Sequence, residues 1–222
     1  MHAETTPIPG RREARRLDRR DAILTVAQEY FLNHGYAGTT MSGVAAALGG
    51  SKGTLWSHFP SKEELFSAVL DRAAKAYRMR LAQILDPQAD LGDTLIHACR
   101  SLIAKITSRE AIALHRLIIS ESGRFPELSP IFFDLAPGNT RKLMAQFLSG
   151  AMERGQLRPA DATEAARILM ALCLAGTHQQ ILLGLIARPS TEAIEADAAL
   201  AVDLFLRAYA PDGSGIPGGQ SA

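Results

Sequence analysis

The chain has 222 residues, 47% of them hydrophobic and 21% charged, which is ordinary for a globular protein with a sizeable core and excludes collagen-like and wholly disordered classes. Two cysteines, Cys99 and Cys173, make no disulfide framework, so we expect a reducing cytoplasm. The net charge of +1 excludes no class of partner by itself.

The positive charge is unevenly distributed. Six arginines lie within residues 11–20. A concentrated basic segment favours a polyanion even when the whole molecule is close to neutral, although a solvated tag has the same composition. We expect residues 1–14 to form a flexible basic arm and residues 211–222 a flexible tail.

Apolar spacing predicts helices along the chain and gives no alternating, strand-like run. The first helix is expected over about 16–34, with Gly35 as its stop signal. Two very short amphipathic helices follow over 41–48 and 52–59, and Gly49 and Gly50 separate them.

Longer helices fill the remainder of the chain. Ser61 and Glu64 form a capping box that opens a helix ending near residue 85. Further helices are predicted at about 90–107, 109–122, 126–154, 161–187 and 191–209. Pro130 and Pro137 should bend or break the third of these. The sequence therefore predicts an all-α protein of eight or nine helices.

Residues 168–187 carry no formal charge and have the length of a membrane span. Polar residues 177–180 would lie at the centre of such a span, where they are costly. We therefore expect no membrane contact and a buried helix at a subunit interface.

The two short helices are too short to be stable alone. When a longer helix holds them at a fixed angle, they form a helix-turn-helix unit, whose second helix enters the DNA major groove. Small polar residues suit that second helix, and Leu55 and Phe59 would anchor its other face.

A joint pattern extends across residues 19–70. It comprises Ala27 and Phe31, Gly35 and Tyr36, Thr39 and Thr40, Val44 and Ala45, Gly49, the run Ser51, Lys52, Gly53, Thr54 and Leu55, then His58 and Phe59, and Lys62 and Glu63. This pattern resembles the N-terminal domain of the TetR family of transcriptional regulators. Residues 115–127 and the stretch through Gly155 resemble the AefR-like subclass of its C-terminal domains.

The resemblance implies a DNA-binding domain over 15–64 and specific contacts within it. Thr40, Ser42 and Lys62 are expected at phosphates, and Lys52 and Thr54 at base edges. The full expected set is Thr40, Ser42, Ser51, Lys52, Gly53, Thr54, Trp56, Ser57, His58 and Lys62. The alternative for Trp56 is a core aromatic, and for His58 a cap of its own helix end.

Three residues depart from the family's pattern. Trp56 stands where tyrosine is usual, and Gly50 replaces an apolar residue of the turn. Gly43 lies inside a short helix, at a cost of about 1 kcal/mol relative to alanine. Together they suggest a module that orders fully only on DNA.

The resemblance also implies a ligand-binding and dimerisation domain over 65–210. Candidate residues for an effector pocket are Cys99, His115, Arg116, Phe132, Phe133, Met170 and His178. Candidate residues for the dimer interface are Leu169, Cys173, Leu174, Leu182, Leu185, Ile194, Leu200, Leu204 and Phe205. Each pocket candidate could also be plain core or surface.

No residue set combines a nucleophile, a base and an orienting group, so we expect neither an enzyme nor a cofactor. His97 and Cys99 point to different helix faces and cannot share a metal ion. The expected function is a cytoplasmic homodimeric repressor, released from a palindromic DNA operator by an apolar small molecule. A ligand-independent architectural DNA binder and a hydrolase using His115 or His178 are the competing classes.

Overall fold

The computed structural model describes residues 11–49 and 52–211, and all regular structure within these ranges is helical, which confirms the predicted all-α class. The helices are α1 (Arg11–Gly38), α2 (Met41–Ala47), α3 (Lys52–His58), α4 (Lys62–Ile84), α5 (Leu91–Ile106), α6 (Arg109–Glu121), α7 (Leu128–Phe133), a π-helical segment (Asp134–Gly138), α8 (Asn139–Glu153), α9 (Ala162–Leu174), α10 (Thr177–Leu182) and α11 (Thr191–Tyr209). The predictions for residues 1–10, for Gly50 and Ser51, and for residues 212–222 lie outside the described residues.

The N-terminal core lies among α1 to α4. Its centre is an aromatic group in which the Phe66 ring packs edge-on against Phe31 (4.9 Å between centroids) and Tyr36 (5.3 Å). Apolar residues of α6 and α7, including Leu117 and Leu128, complete this core. The first core therefore includes parts of the chain that come much later in the sequence.

The C-terminal core is formed by the second half of α4 with α5, α8, α9 and α11. Both cysteines are fully buried in it. Because α4 contributes Leu65 and Phe66 to the first core and Tyr77 and Leu81 to the second, it runs continuously from one to the other.

α1 is interrupted at Gly35, which has φ 70° and ψ 174°. The carboxylate of Glu121, at the end of α6, accepts hydrogen bonds from the backbone N–H groups of Tyr36 and Ala37, both at 2.9 Å. A Cβ at position 35 would collide with that carboxylate. Glycine is thus required both by the left-handed backbone and by the close approach of α6.

The predicted helix over 126–154 is broken near its prolines, as expected, and the break takes the form of the π-helical segment containing Pro137. The prediction of one helix over 161–187 is wrong, because α9 ends at Leu174 and α10 begins at Thr177. The Asp197 carboxylate of α11 accepts a 2.7 Å hydrogen bond from the Thr177 N–H and so caps α10. Among the described residues, no helix combines the length and hydrophobicity that crossing a membrane requires.

Candidate DNA-binding surface and ligand cavity

The helix-turn-helix unit is formed by α2 and α3, which rest on α1 and α4. Thr40 caps α2, since its hydroxyl accepts a 3.0 Å hydrogen bond from the Gly43 N–H. On the inner side, Val44 is buried in α2, and Leu55 and Phe59 are buried under α3. These apolar contacts orient two helices of seven residues each that could not be stable alone.

The outward side of α3 is polar and accessible. Gly53, Trp56 and Ser57 are exposed, and 40% of the Trp56 surface is open to solvent. The Ser57 hydroxyl donates to the Thr54 carbonyl at 2.9 Å. Because Leu55 and Phe59 fill the core side, Trp56 is not the core aromatic that was considered as an alternative.

The arginine-rich start of α1 lies beside the end of α3. The Arg20 guanidinium sits 4.5 Å from the centre of the Phe59 ring. Burial lowers the pKa of His58, and the positive charges of Arg16, Arg20 and Arg19 lower it further. The end of α3 is therefore an electropositive region that suits a polyanion.

Lys62 is engaged within the protein. Its ammonium donates to the Tyr36 carbonyl at 3.0 Å and lies 4.1 Å from the centre of the Tyr36 ring. The Tyr36 hydroxyl in turn donates to Glu63 at 3.1 Å. Burial, followed by the Glu63 carboxylate, raises the pKa of Tyr36. This group fixes the turn between α3 and α4, and the predicted phosphate contact of Lys62 stays a prediction.

The other predicted DNA contacts lie on the same module. Ser42 is exposed in the first turn of α2, Thr54 and His58 are half-buried on α3, and Lys52 is the first residue of α3. Ser51 lies outside the described residues.

The glycine at position 43 has a packing reason that the sequence did not reveal. Tyr30 of α1 stacks on His34, with 4.0 Å between ring centroids, and its ring covers Gly43. A Cβ at position 43 would meet the Tyr30 hydroxyl and lie 2.9 Å from Cζ of that ring. Gly43 thus lets α1 and α2 approach closely.

A cavity of about 270 Å³ lies where α4, α5, α6, the π-helical segment, α9 and α10 meet. Its wall is mainly apolar, with a few polar groups. The lining residues are Leu70, Ala73, Ala74, Tyr77, Leu102, Lys105, Ile106, Glu110, Ala111, Leu114, His115, Phe132, Ala136, Pro137, Thr140, Met170, Leu174 and His178. Four predicted pocket residues are among them, namely His115, Phe132, Met170 and His178.

The other three pocket candidates lie elsewhere, which corrects that part of the prediction. Cys99 is fully buried in the C-terminal core, where a hydrogen bond with Cys173 and then burial raise the pKa of its thiol. Arg116 donates to the Ile181 carbonyl at 2.7 Å and satisfies the end of α10. Phe133 is 44% exposed and lies under the Arg141 guanidinium.

Two histidines meet on the cavity wall. His115 Nδ1 lies 3.3 Å from His178 Nε2, and the two rings stack at 5.3 Å. Burial lowers the pKa of His115. Burial also lowers the pKa of His178, the neighbouring His115 lowers it further, and a hydrogen bond to the Leu174 carbonyl acts in the opposite direction. Both rings are therefore neutral at pH 7.

Tyr77 contributes its ring to the same wall. Its hydroxyl is enclosed by protein and has no hydrogen-bond partner among the described residues. Burial raises the pKa of this phenol, and the nearby Cys173 and Cys99 raise it further.

The predicted dimer residues divide into two groups. Leu169, Cys173 and Phe205 are fully buried within the chain, so their prediction as interface residues is wrong. Both α9 and α11 are apolar on more than one side, and these residues belong to the side that faces the core. Leu174, Leu185, Leu200 and Leu204 are exposed, and Leu182 and Ile194 are partly buried.

Comparisons with known proteins cover both halves of the chain. Residues 23–69 match the model of bacterial regulatory proteins of the tetR family. Residues 93–211 match the C-terminal domain of AefR-like transcriptional repressors.

Individual relatives give the same result. The repressor ComR of Escherichia coli K12 is 29% identical over 154 residues, which are 68% of this chain and 73% of ComR. A TetR-family regulator from Mesorhizobium loti superposes with a TM-score of 0.78 at 27% identity, covering 88% of this chain and 98% of that one. The flavonoid-responsive regulator FrrA superposes with a TM-score of 0.74 at 33% identity, with the same coverage. The chain therefore belongs to the TetR family of transcriptional regulators.

Proposed function

We propose that this protein is a homodimeric repressor that binds a palindromic operator in double-stranded DNA in the cytoplasm and is released from it by an apolar small molecule. The observation that carries the proposal is the division of α3 into two sides. Trp56 and Ser57 are exposed, whereas Leu55 and Phe59 fix the helix from below. A short helix presented in this way fits the major groove.

The individual DNA contacts are part of this proposal. Helix starts favour phosphates, which assigns Thr40 and Ser42 at the start of α2 and Lys62 at the start of α4 to the backbone. Lys52 and Thr54 take the base edges. The remaining contacts are Ser51, Gly53, Trp56, Ser57 and His58. The arginines of α1 beside α3 add electrostatic attraction that does not depend on sequence.

Dimerisation follows from what one module can read. A single helix-turn-helix contacts too few base pairs for specificity, whereas two related by a twofold axis read two half-sites at a fixed spacing. The exposed leucines of α9 to α11, notably Leu185, Leu200 and Leu204, offer an apolar surface for a second copy.

The effector site in this proposal is the 270 Å³ cavity. An enclosed, mainly apolar space with a few polar groups is typical of small-molecule sites. The name of FrrA describes a regulator that responds to flavonoids, which favours an aromatic effector here as well. This assignment divides the chain into a DNA-binding domain over 15–64 and a ligand-binding and dimerisation domain over 65–210.

Two helices can connect ligand and DNA. α4 begins at the helix-turn-helix module and places Tyr77 on the cavity wall. α6 carries His115 at the cavity and Glu121 at the corner between α1 and α2. Ligand and DNA would select different arrangements of these helices, and about 1.4 kcal/mol of discrimination gives each tenfold loss of DNA affinity.

The test is selection of bound sequences from a random DNA pool at about 150 mM salt, which suppresses non-specific phosphate binding. We expect an enriched inverted repeat. Trp56→Ala should weaken binding to it, whereas Phe133→Ala, which also removes an exposed aromatic side chain but far from α3, should not. Retention without sequence preference would instead favour an architectural DNA binder.

A further inference from the structure

The two histidines on the cavity wall form a chain of hydrogen bonds with a fixed direction. The ring nitrogen of His178 that faces away from His115 is Nδ1, and it is the atom that can donate to the Leu174 carbonyl. A carbonyl can only accept, so Nδ1 carries the proton, and Nε2 of the neutral ring is an acceptor. His115 Nδ1, 3.3 Å away, is therefore the donor.

This direction determines the chemistry of the last nitrogen. A neutral histidine that donates from Nδ1 has no proton on Nε2, which is left with a lone pair. Among the residues that the structure describes, no group pairs with His115 Nε2. His115 lines the cavity with its ring stacked on Phe132, at 5.8 Å between centroids. The cavity wall thus contains an acceptor that lacks a donor.

The other polar groups of the wall leave His115 as the principal anchor. The Thr140 hydroxyl already donates to the Ala136 carbonyl at 3.0 Å. The Tyr77 hydroxyl is enclosed by protein. Lys105 is half-buried and Glu110 exposed, so opposite charges flank the cavity where it meets solvent.

An anionic ligand does not suit this acceptor. A carboxylate oxygen would face the lone pair of Nε2, and the two would repel each other unless the ring took up a proton. Burial opposes that proton uptake at both histidines. A neutral hydrogen-bond donor needs no such change.

The volume limits the size of the ligand. An apolar cavity of about 150 Å³ holds one benzene ring. The 270 Å³ available here therefore accommodates roughly two fused rings.

We propose that the cavity binds a compact, uncharged aromatic molecule of about two rings that carries a hydroxyl group, and that this hydroxyl donates to Nε2 of His115. His178 acts as a positioning residue, because it keeps the proton of His115 on Nδ1. This inference rests on the proposed function, since it assigns a chemical class to the effector cavity.

Calorimetric titration with matched probes at pH 7.5 tests the hydrogen bond. 2-Naphthol can donate, 2-methoxynaphthalene cannot, and 2-naphthoate is an anion of similar size. We expect 2-naphthol to bind roughly five- to tenfold more tightly than the ether, the range that one hydrogen bond supplies. His115→Phe should remove this preference. His97→Phe makes the same change on the exposed side of α5, outside the cavity, and should leave the preference intact.

The outcomes separate this inference from the proposed function. Equal binding of naphthol and ether, or tightest binding of naphthoate, would overturn the hydroxyl assignment while leaving the cavity as a ligand site. Failure of all three probes to bind would overturn the assignment as well. Neither result affects the selection of an inverted repeat, which tests DNA recognition separately.

A second measurement needs no variant and no ligand. In ¹H–¹⁵N spectra of the histidine rings at pH 7.5, Nε2 of His115 and Nε2 of His178 should both show the shift of an unprotonated nitrogen. A protonated Nε2 on His115 would contradict the direction of the chain and overturn the proposal.

Discussion

At position 43 the packing of a neighbouring helix decides which residue is tolerated. Alanine is favoured over glycine in a helix interior by about 1 kcal/mol. Here a Cβ would press on the Tyr30 ring and approach the Thr40 hydroxyl at 3.1 Å. We expect Gly43→Ala to lower the free energy of unfolding by about 1–2 kcal/mol in urea titrations. Gly123→Ala, which adds its Cβ in open space, should leave it nearly unchanged, and a gain for Gly43→Ala would contradict the packing argument.

The buried histidines make stability depend on pH. The pKa values of His115 and His178 lie below the value of 6.5 that they regain on unfolding, so the unfolded chain binds more protons in acid. Their contribution to stability is complete above pH 6.5 and is lost as the pH falls through the folded-state values. We expect the free energy of unfolding to decrease from pH 7 to pH 5. The double variant His115→Gln, His178→Gln should show a shallower decrease, and an unchanged slope would rule out these two residues as its source.

At the scale of helices, Glu121 is the contact through which α6 holds the corner after α1. Its carboxylate accepts two backbone hydrogen bonds, at Tyr36 and Ala37. Glu121→Gln replaces one acceptor oxygen by an NH₂ group, which would face a donor. We expect a loss of about 1–3 kcal/mol in the free energy of unfolding, the range for hydrogen bonds to a charged group.

DNA affinity for the selected operator should fall in the same Glu121→Gln variant, because α2 and α3 follow directly from this corner. Glu29→Gln, an exposed position on α1, is the matched control. Unchanged stability and DNA affinity in Glu121→Gln would show that the corner holds its shape without α6.

Helix limits were predictable where the signals are local. Ser61 caps α4 by accepting from the Glu64 N–H, as the capping box predicted. The break before α10 depends on Asp197, which approaches from α11, and no local pattern around Gly176 reveals it. The pocket residues followed the same rule: helical spacing identified an apolar residue such as Cys99 but could not tell which of several apolar neighbours it would face.

At the scale of the whole molecule, the exposed leucines of α11 should decide the oligomeric state. Leu200 and Leu204 are 58% and 43% exposed and lie one turn apart on one side of that helix. Leu200→Asp with Leu204→Asp would place two charges in an apolar interface. We expect monomers by analytical ultracentrifugation and loss of binding to the inverted repeat. Met79→Asp, on an exposed part of α4, should remain dimeric, and a dimer formed by the double variant would place the interface elsewhere.

The chain contains one tryptophan, and it lies on the outer side of α3. Its indole emission therefore comes from a single known place, more than a helix away from the cavity between α4, α6 and α10. DNA added to the protein would change that emission by direct contact, whereas a molecule entering the cavity could change it only by moving α3. Unlabelled wild-type protein thus contains an intrinsic optical reporter that can follow the two binding events separately in one cuvette.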